Sequence, residues 1–273
     1  MIWLILIPIG AWLMAYVYFY RAQDRLIYEV DDQIPDMARA SVYCGQEITL
    51  TPADAPGLKT MSWYWPAKNN RPTILFLHGN NGNIEGRTGW MQFALTAGWG
   101  LLMVGYRGYG GNPGTPSQRG LIHDGLCAFD FLAQECKIPG DQIHIFGHSL
   151  GSAVATQVAA QRPCGALGLM SPLTAMHHVA FDAYPFLPMG LIVRDQWRSI
   201  EKITAINCPL AIVACDRDTT VRFRRSQQLF AAALQPKEFL NIPGIDHGDI
   251  ALSGGPEYLV DFFDRVSHRG ALP

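Results

Sequence analysis

The sequence predicts an α/β fold with a mainly parallel central sheet and helices on both faces. Three observations predict it. Short apolar runs recur from about residue 70 onward, and helical patterns fall between them. The composition also supplies a large core: hydrophobic residues make up 49% of the 273, and charged ones only 16%. The usual charged share is roughly 25%, so disorder is excluded as the main state.

The runs are Thr73–Leu77 (TILFL), Leu101–Val104 (LLMV), Ile143–Phe146 (IHIF), Ala166–Met170 (ALGLM), Leu210–Ala214 (LAIVA) and Glu238–Ile242 (EFLNI). Continuous apolar runs of this length suit strands covered on both faces. Ile48–Leu50 and Met61–Trp65 read as antiparallel edge strands in the less regular stretch 28–66. The clearest helix carries Ile122, Leu126, Phe129 and Ala133 on one face. Its start is marked by Thr115 as N-cap, Pro116 at the first helical position and Gln118 at the third.

The first segment differs from the rest. Apart from Pro8 and Gly10, residues 2–20 are all apolar or aromatic, and none is charged. As a helix they would extend about 28 Å, close to the hydrocarbon thickness of a bilayer. Trp3 lies near one end and Tyr16, Tyr18 and Tyr20 near the other, as interfacial aromatics do. No basic start and no A-x-A site accompany the run, so it reads as an uncleaved single-pass transmembrane anchor rather than a signal peptide. Residues 1–20 are thus expected to form the anchor, and 28–268 the folded domain. Arg21 and Arg25 follow the run and no basic side chain precedes it, which places the domain on the cytoplasmic side.

The net charge of −2 offers no basic excess to grip phosphates, so nucleic acid is not an expected partner. The six cysteines, at 44, 127, 136, 164, 208 and 215, form no C-x-x-C pair and read as buried free thiols. No dinucleotide, P-loop or H-E-x-x-H pattern is present, and the adjacent His177 and His178 do not suit a two-histidine metal site; neither cofactor nor metal is expected.

Gly147-His148-Ser149-Leu150-Gly151 fits G-x-S-x-G. It follows the strand IHIF and precedes the helical run Leu150–Ala160, the strand–elbow–helix setting that the motif needs. Small residues at 147 and 151 allow a sharp turn, and the Ser149 hydroxyl would stand at a helix N-terminus. A serine nucleophile needs a base and a group to orient that base. His247 follows the last strand. Asp216 and Asp218 both follow LAIVAC; Asp218, three before Val221, is the preferred orienter. The oxyanion donors are expected to be the backbone N–H of Leu150 and one from the loop His78–Asn83, with Asn80 as the candidate. His78 reads as a structural hydrogen-bonder. Residues 172–207, long, apolar and aromatic with Pro185 and Pro188 inside, read either as helices on the sheet edge or as a small helical cap.

With these residues in view, the chain resembles the α/β-hydrolases, in particular small N-terminally membrane-anchored members related to serine aminopeptidase-type hydrolases. The resemblance rests on F-L-H-G-N-N-G-N at 76–83, Y-R-G-Y-G at 106–110, G-H-S-L-G at 147–151, D-R-D-T-T-V at 216–221 and D-H-G at 246–248. It implies the α/β-hydrolase fold and a Ser149–His247–Asp218 triad, with Arg107 bracing its loop. Cys215 stands where relatives have Gly, and Arg222 where many have Pro; neither touches the triad. The function expected is a membrane-anchored serine hydrolase of acyl ester or thioester bonds, acting on a small acyl or lipid-like substrate. Two alternatives are an aminopeptidase-type peptidase, with Asp182, Asp195 or Glu201 to hold a free amine, and a catalytically silent membrane scaffold.

Overall fold

The computed structural model describes residues 3–40 and 45–269. The chain opens with helix α1 (Trp3–Ile27), strand β1 (Glu29–Val30) and the short helix α2 (Met37–Ala40). Strands β2 (Gln46–Leu50), β3 (Thr60–Trp65), β4 (Thr73–Leu77) and β5 (Asn81–Gly82) follow, then α3 (Thr88–Thr96), β6 (Gly100–Met103) and α4 (Gln118–Asp130). Next come β7 (Ile143–His148), α5 (Leu150–Ala159), β8 (Ala166–Met170) and three short helices, α6 (Met176–Ala183), α7 (Met189–Ile192) and α8 (Ser199–Lys202). The chain continues through β9 (Leu210–Cys215), α9 (Phe223–Ala232), β10 (Lys237–Ile242) and α10 (Gly255–Arg269).

Among the described residues, eight strands form one sheet in the order β10-β9-β8-β7-β4-β6-β3-β2. The six apolar runs pair in parallel, and β3 and β2 add the antiparallel edge. Parallel pairing requires crossovers that cover both faces, which is why β4, β7, β8 and β9 are buried at every position. One face carries Leu75, Leu77, Ile145, Leu167 and Leu169 against α4 and α5. The other carries Phe76, Phe146, Met103 and Val213 against α3 and α10.

Two local expectations need correcting. Helix α4 is capped by Ser117, whose hydroxyl accepts from Gly120 N at 3.1 Å, and not by Thr115. Ser117 is extended, with φ −158°, while the Gln118 N–H is taken by Asp195 Oδ2 at 2.9 Å, so the helix starts two residues later. The cysteines are also less buried than expected: Cys215 is buried, Cys127, Cys136, Cys164 and Cys208 are half-buried, and Cys44 lies outside the described residues.

The anchor differs as well. Among the described residues no helix is long and apolar enough to cross a membrane, so the spanning helix expected over residues 2–20 is not recovered in that form. Instead α1 runs on past Tyr20 through Arg21, Asp24 and Arg25, and its second half docks on the segment 172–207. Buried Gln23 donates to Ile192 O at 3.0 Å and accepts from Arg194 N at 2.7 Å. Phe19 packs on Tyr184 with ring centroids 4.4 Å apart, and Arg194 pairs with Asp24 at 2.7 Å. Just beyond the helix, Tyr28 donates to Asp195 and accepts from Trp197 Nε1 at 3.3 Å. The first half of α1 remains exposed and apolar, through Ile7, Ile9, Leu13 and Met14 among others.

Candidate active site

Ser149 sits between β7 and α5 with φ 51° and ψ −118°, a strained backbone for a residue with a side chain. The turn is tight enough that its glycines admit nothing larger. A Cβ on Gly151 would lie 2.0 Å from Leu77 O, and one on Gly147 would lie 2.4 Å from Gly151 O. The strain is held by Ser149 N donating to Met170 O at 2.9 Å, and by Ser149 O accepting from Ser152 N at 2.9 Å and Ser152 Oγ at 2.5 Å.

His247 reaches the serine from the loop after β10. Its Nε2 lies 3.0 Å from Ser149 Oγ and its Nδ1 lies 2.7 Å from Asp218 Oδ2. A neutral ring protonated on Nδ1 satisfies both contacts: Nδ1 donates to the carboxylate and Nε2 accepts from the hydroxyl. Asp218 is buried, and its other oxygen accepts from Thr220 N at 2.9 Å and Val221 N at 2.6 Å. That last bond gives the D-x-x-V spacing its physical sense. Asp216 faces away and accepts from Gly244 N at 2.7 Å, so it ties two loops together. Asp246 does the same beside the histidine: it accepts from Thr219 N at 2.7 Å and from Thr219 Oγ1 at 2.9 Å. Those bonds, the Thr219 backbone N–H foremost, hold its carboxyl below the usual range.

The loop after β4 closes over the serine, and a Cβ on Gly79 would lie 3.5 Å from Ser149 Cβ. His78 Nδ1 donates to Gly79 O at 2.8 Å. In a trans peptide the N–H points opposite to the carbonyl, so this bond turns the Asn80 N–H the other way. The Ser149 carbonyl, held by Ser152, orients the Leu150 N–H by the same logic, out of the N-terminus of α5. The Asn80 carbonyl is fixed in turn by Glu29 N at 3.1 Å and Tyr109 Oη at 2.9 Å. Burial pushes the His78 imidazole down to about 3, so it stays neutral as that structural donor.

Several contributors were not legible as functional in the sequence. His148 is buried beside His247, with the two ring centroids 5.5 Å apart, and is edge-on to Trp90 at 5.1 Å. Neither of its ring nitrogens has a partner among the described residues, and burial holds it well below the usual histidine range. It occupies the variable position of the motif, so nothing in the pattern marks it. Arg107 braces its turn as expected, but its partners lie far along the chain: Asp124, at 2.8 Å, and Asp54, also at 2.8 Å. The acidic residues considered for holding an amine are all engaged. Asp182 pairs with Arg225 at 2.6 Å and also with Arg224, Asp195 accepts from Tyr28, and Glu201 pairs with Arg198 at 2.9 Å. Among the described residues no group of three His, Cys, Asp or Glu side chains is placed to hold a metal ion.

A serine on a strained strand-to-helix elbow, over a parallel sheet and in contact with a late-loop histidine, defines a hydrolase of the α/β class. The chain belongs to the α/β-hydrolase family: the family's profile, described as alpha/beta hydrolase fold, matches residues 72–191, and a full-domain relative is more than 30% identical. That relative is the alpha/beta hydrolase domain-containing protein WAV2 of Arabidopsis thaliana, 31% identical over 78% of this chain and 75% of its own length. An uncharacterized protein of Mycobacterium tuberculosis is 34% identical over 88% of this chain and 85% of its own. The lysophosphatidylserine lipase ABHD12 of Danio rerio is 32% identical over 66% of this chain, which spans 52% of that protein. Among solved structures, the Pyrococcus furiosus esterase PF2001 superposes with a TM-score of 0.70 at 17% identity, covering 88% of this chain and 98% of that one.

Proposed function

We propose that the chain is a membrane-attached serine hydrolase that cleaves acyl ester or thioester bonds of a lipid-like substrate. The observation that carries this reading is the unbroken hydrogen-bond chain from Ser149 Oγ through His247 to Asp218, at 3.0 and 2.7 Å. In this reading His247 Nε2 takes the Ser149 proton as Oγ attacks the acyl carbon. Asp218 holds the ring tautomer and stabilises the imidazolium. The N–H groups of Asn80 and Leu150 receive the oxyanion, His247 returns the proton to the leaving group, and water attacks the acyl-enzyme in a second round.

Two features favour a lipid-like acyl group. A largely apolar cavity of about 330 Å³ lies where α1 meets residues 172–207, lined by Phe19, Leu26, Val179, Tyr184 and Ile192, and its lining includes Thr219 and Thr220, which follow Asp218 in the chain. The exposed apolar half of α1 lies next to it, with Trp12 donating to Phe186 O at 3.0 Å. The ABHD12 relative, a lysophosphatidylserine lipase by name, supports the same substrate class. Attachment to the bilayer is assigned to residues 2–20, with Arg21, Arg25 and the catalytic domain on the cytoplasmic side.

The test is a chain-length series of nitrophenyl acyl esters on detergent-solubilised protein, combined with labelling by a fluorophosphonate. Labelling together with hydrolysis supports the reading. A protein that neither labels nor hydrolyses any ester is a silent scaffold. Orientation is read by C-terminal reporter fusions: a dark fluorescent-protein fusion with an active alkaline phosphatase fusion would put the domain on the far side.

A further inference from the structure

Cys164 and Cys208 lie away from the catalytic residues, on the segments that lead into β8 and β9. Their sulfurs are 3.3 Å apart. A disulfide needs about 2.05 Å, so the gap is roughly 1.3 Å. The backbone on each side is already pinned. Gly165 N donates to Ile143 O at 2.9 Å, and Leu167 N donates to Pro209 O at 2.9 Å. Strand pairing sets Leu167 opposite Leu210. Closing the gap therefore falls to side-chain torsions and not to strand movement. Cys127, Cys136 and Cys215 are also free thiols.

We propose that Cys164 and Cys208 are a redox-sensitive pair that closes to a disulfide under a peroxide. A surface cavity of about 420 Å³, lined by Gln161, Arg162, Asn207 and both cysteines, gives a small oxidant access to them. One thiolate attacks a peroxide oxygen: an S–O bond forms, the O–O bond breaks, and hydroxide leaves. The second thiolate then attacks that sulfenic sulfur; the S–S bond forms and the S–O oxygen leaves as hydroxide. Protons from the two thiols convert both hydroxides to water, so hydrogen peroxide is reduced by two electrons as the thiols are oxidised. The hydrogen bond with Cys208, together with burial, pushes the Cys164 thiol above its ordinary range, so closure speeds up as pH rises.

The consequence lies in what the bond would enclose. The cysteines are 44 positions apart, and the loop between them holds β8 and all of residues 172–207. Closing it would tie the far end of that segment to the end of α5, whose other end carries Ser149. A cross-link over a loop of this length restricts the unfolded chain substantially.

The experiment treats full-length protein with hydrogen peroxide and maps a non-reduced digest by mass spectrometry, with thermal melting in parallel. The expected result is a linked Cys164–Cys208 peptide, with Tm raised by about 5 °C or more and restored by dithiothreitol. Cys164→Ser and Cys208→Ser should each abolish the shift, and Cys164→Ala serves if the serine variant folds poorly. Both thiols remaining free, oxidising to sulfinic acids, or linking to other cysteines would overturn the proposal. So would a linked peptide with no change in Tm.

Discussion

Asp218 Oδ2 lies 2.7 Å from His247 Nδ1, whereas Asp216, two residues earlier on the same loop, accepts from Gly244 N. Two carboxylates with almost the same chain position therefore hold different elements. Asp218→Asn should lower kcat by about 10⁴, since it removes the acceptor that fixes the ring tautomer. Asp216→Asn should cost far less. Steady-state ester kinetics on both variants check the order, and the reverse ranking would reject the assignment of the orienting carboxylate.

Ser149→Ala should lose fluorophosphonate labelling, and ester hydrolysis should fall by at least about 10³. Its strained backbone suits alanine no worse than serine, so the melting temperature should stay near wild type. Labelling retained at the wild-type rate would move the nucleophile to another residue.

Stability should fall in mild acid. The His78 and His144 rings are pushed down to about 3 and about 4 by burial, from near 6.5 in the unfolded chain. The unfolded state then binds more protons between those values, so stability is full above about pH 6.5 and declines as pH falls toward 4. Each such histidine contributes a slope of up to about 1.4 kcal/mol per pH unit in that window. Urea midpoints at pH 7.5 and 5 measure it; equal midpoints would contradict neutral burial of these rings.

Arg107→Met should destabilise the fold by roughly 3–5 kcal/mol, because it leaves Asp124 buried without its cation. Burial already pushes the Asp124 carboxyl up, against the pull of Arg107. Urea denaturation reads the loss, and a cost under 1 kcal/mol would show that the network relaxes easily.

Deletion of residues 1–16 should leave a folded domain that stays in solution, because Phe19, Gln23 and Tyr28 keep their contacts with residues 184–197. Deletion through residue 27 should destabilise the segment 172–207, by removing Gln23 from Ile192 and Arg194. Limited proteolysis compares them, and equal resistance would show that the docked half of α1 contributes little.

What the sequence by itself determined is whatever depends on near neighbours in the chain. The apolar runs became β4, β6, β7, β8 and β9 within a residue or two, because a strand buried on both faces must be apolar throughout, whereas β10, at the sheet edge, is only half-buried and carries Lys237, Glu238 and Asn241. The elbow was legible because Gly147 and Gly151 are required by close contacts within a few residues and with one adjoining strand end. The start of α4 is not fixed by the local sequence, because Thr115 and Ser117 are chemically alike and the choice falls to Asp195, 77 positions from Gln118, which takes that residue's N–H. Only the tertiary structure decided that Asp54 and Asp124 share Arg107, that Asp246 finds its partner in Thr219, and that half of an apolar first helix docks on the domain. Each of these depends on a polar group finding its partner across tens of residues, and such pairing leaves no periodic trace in the chain.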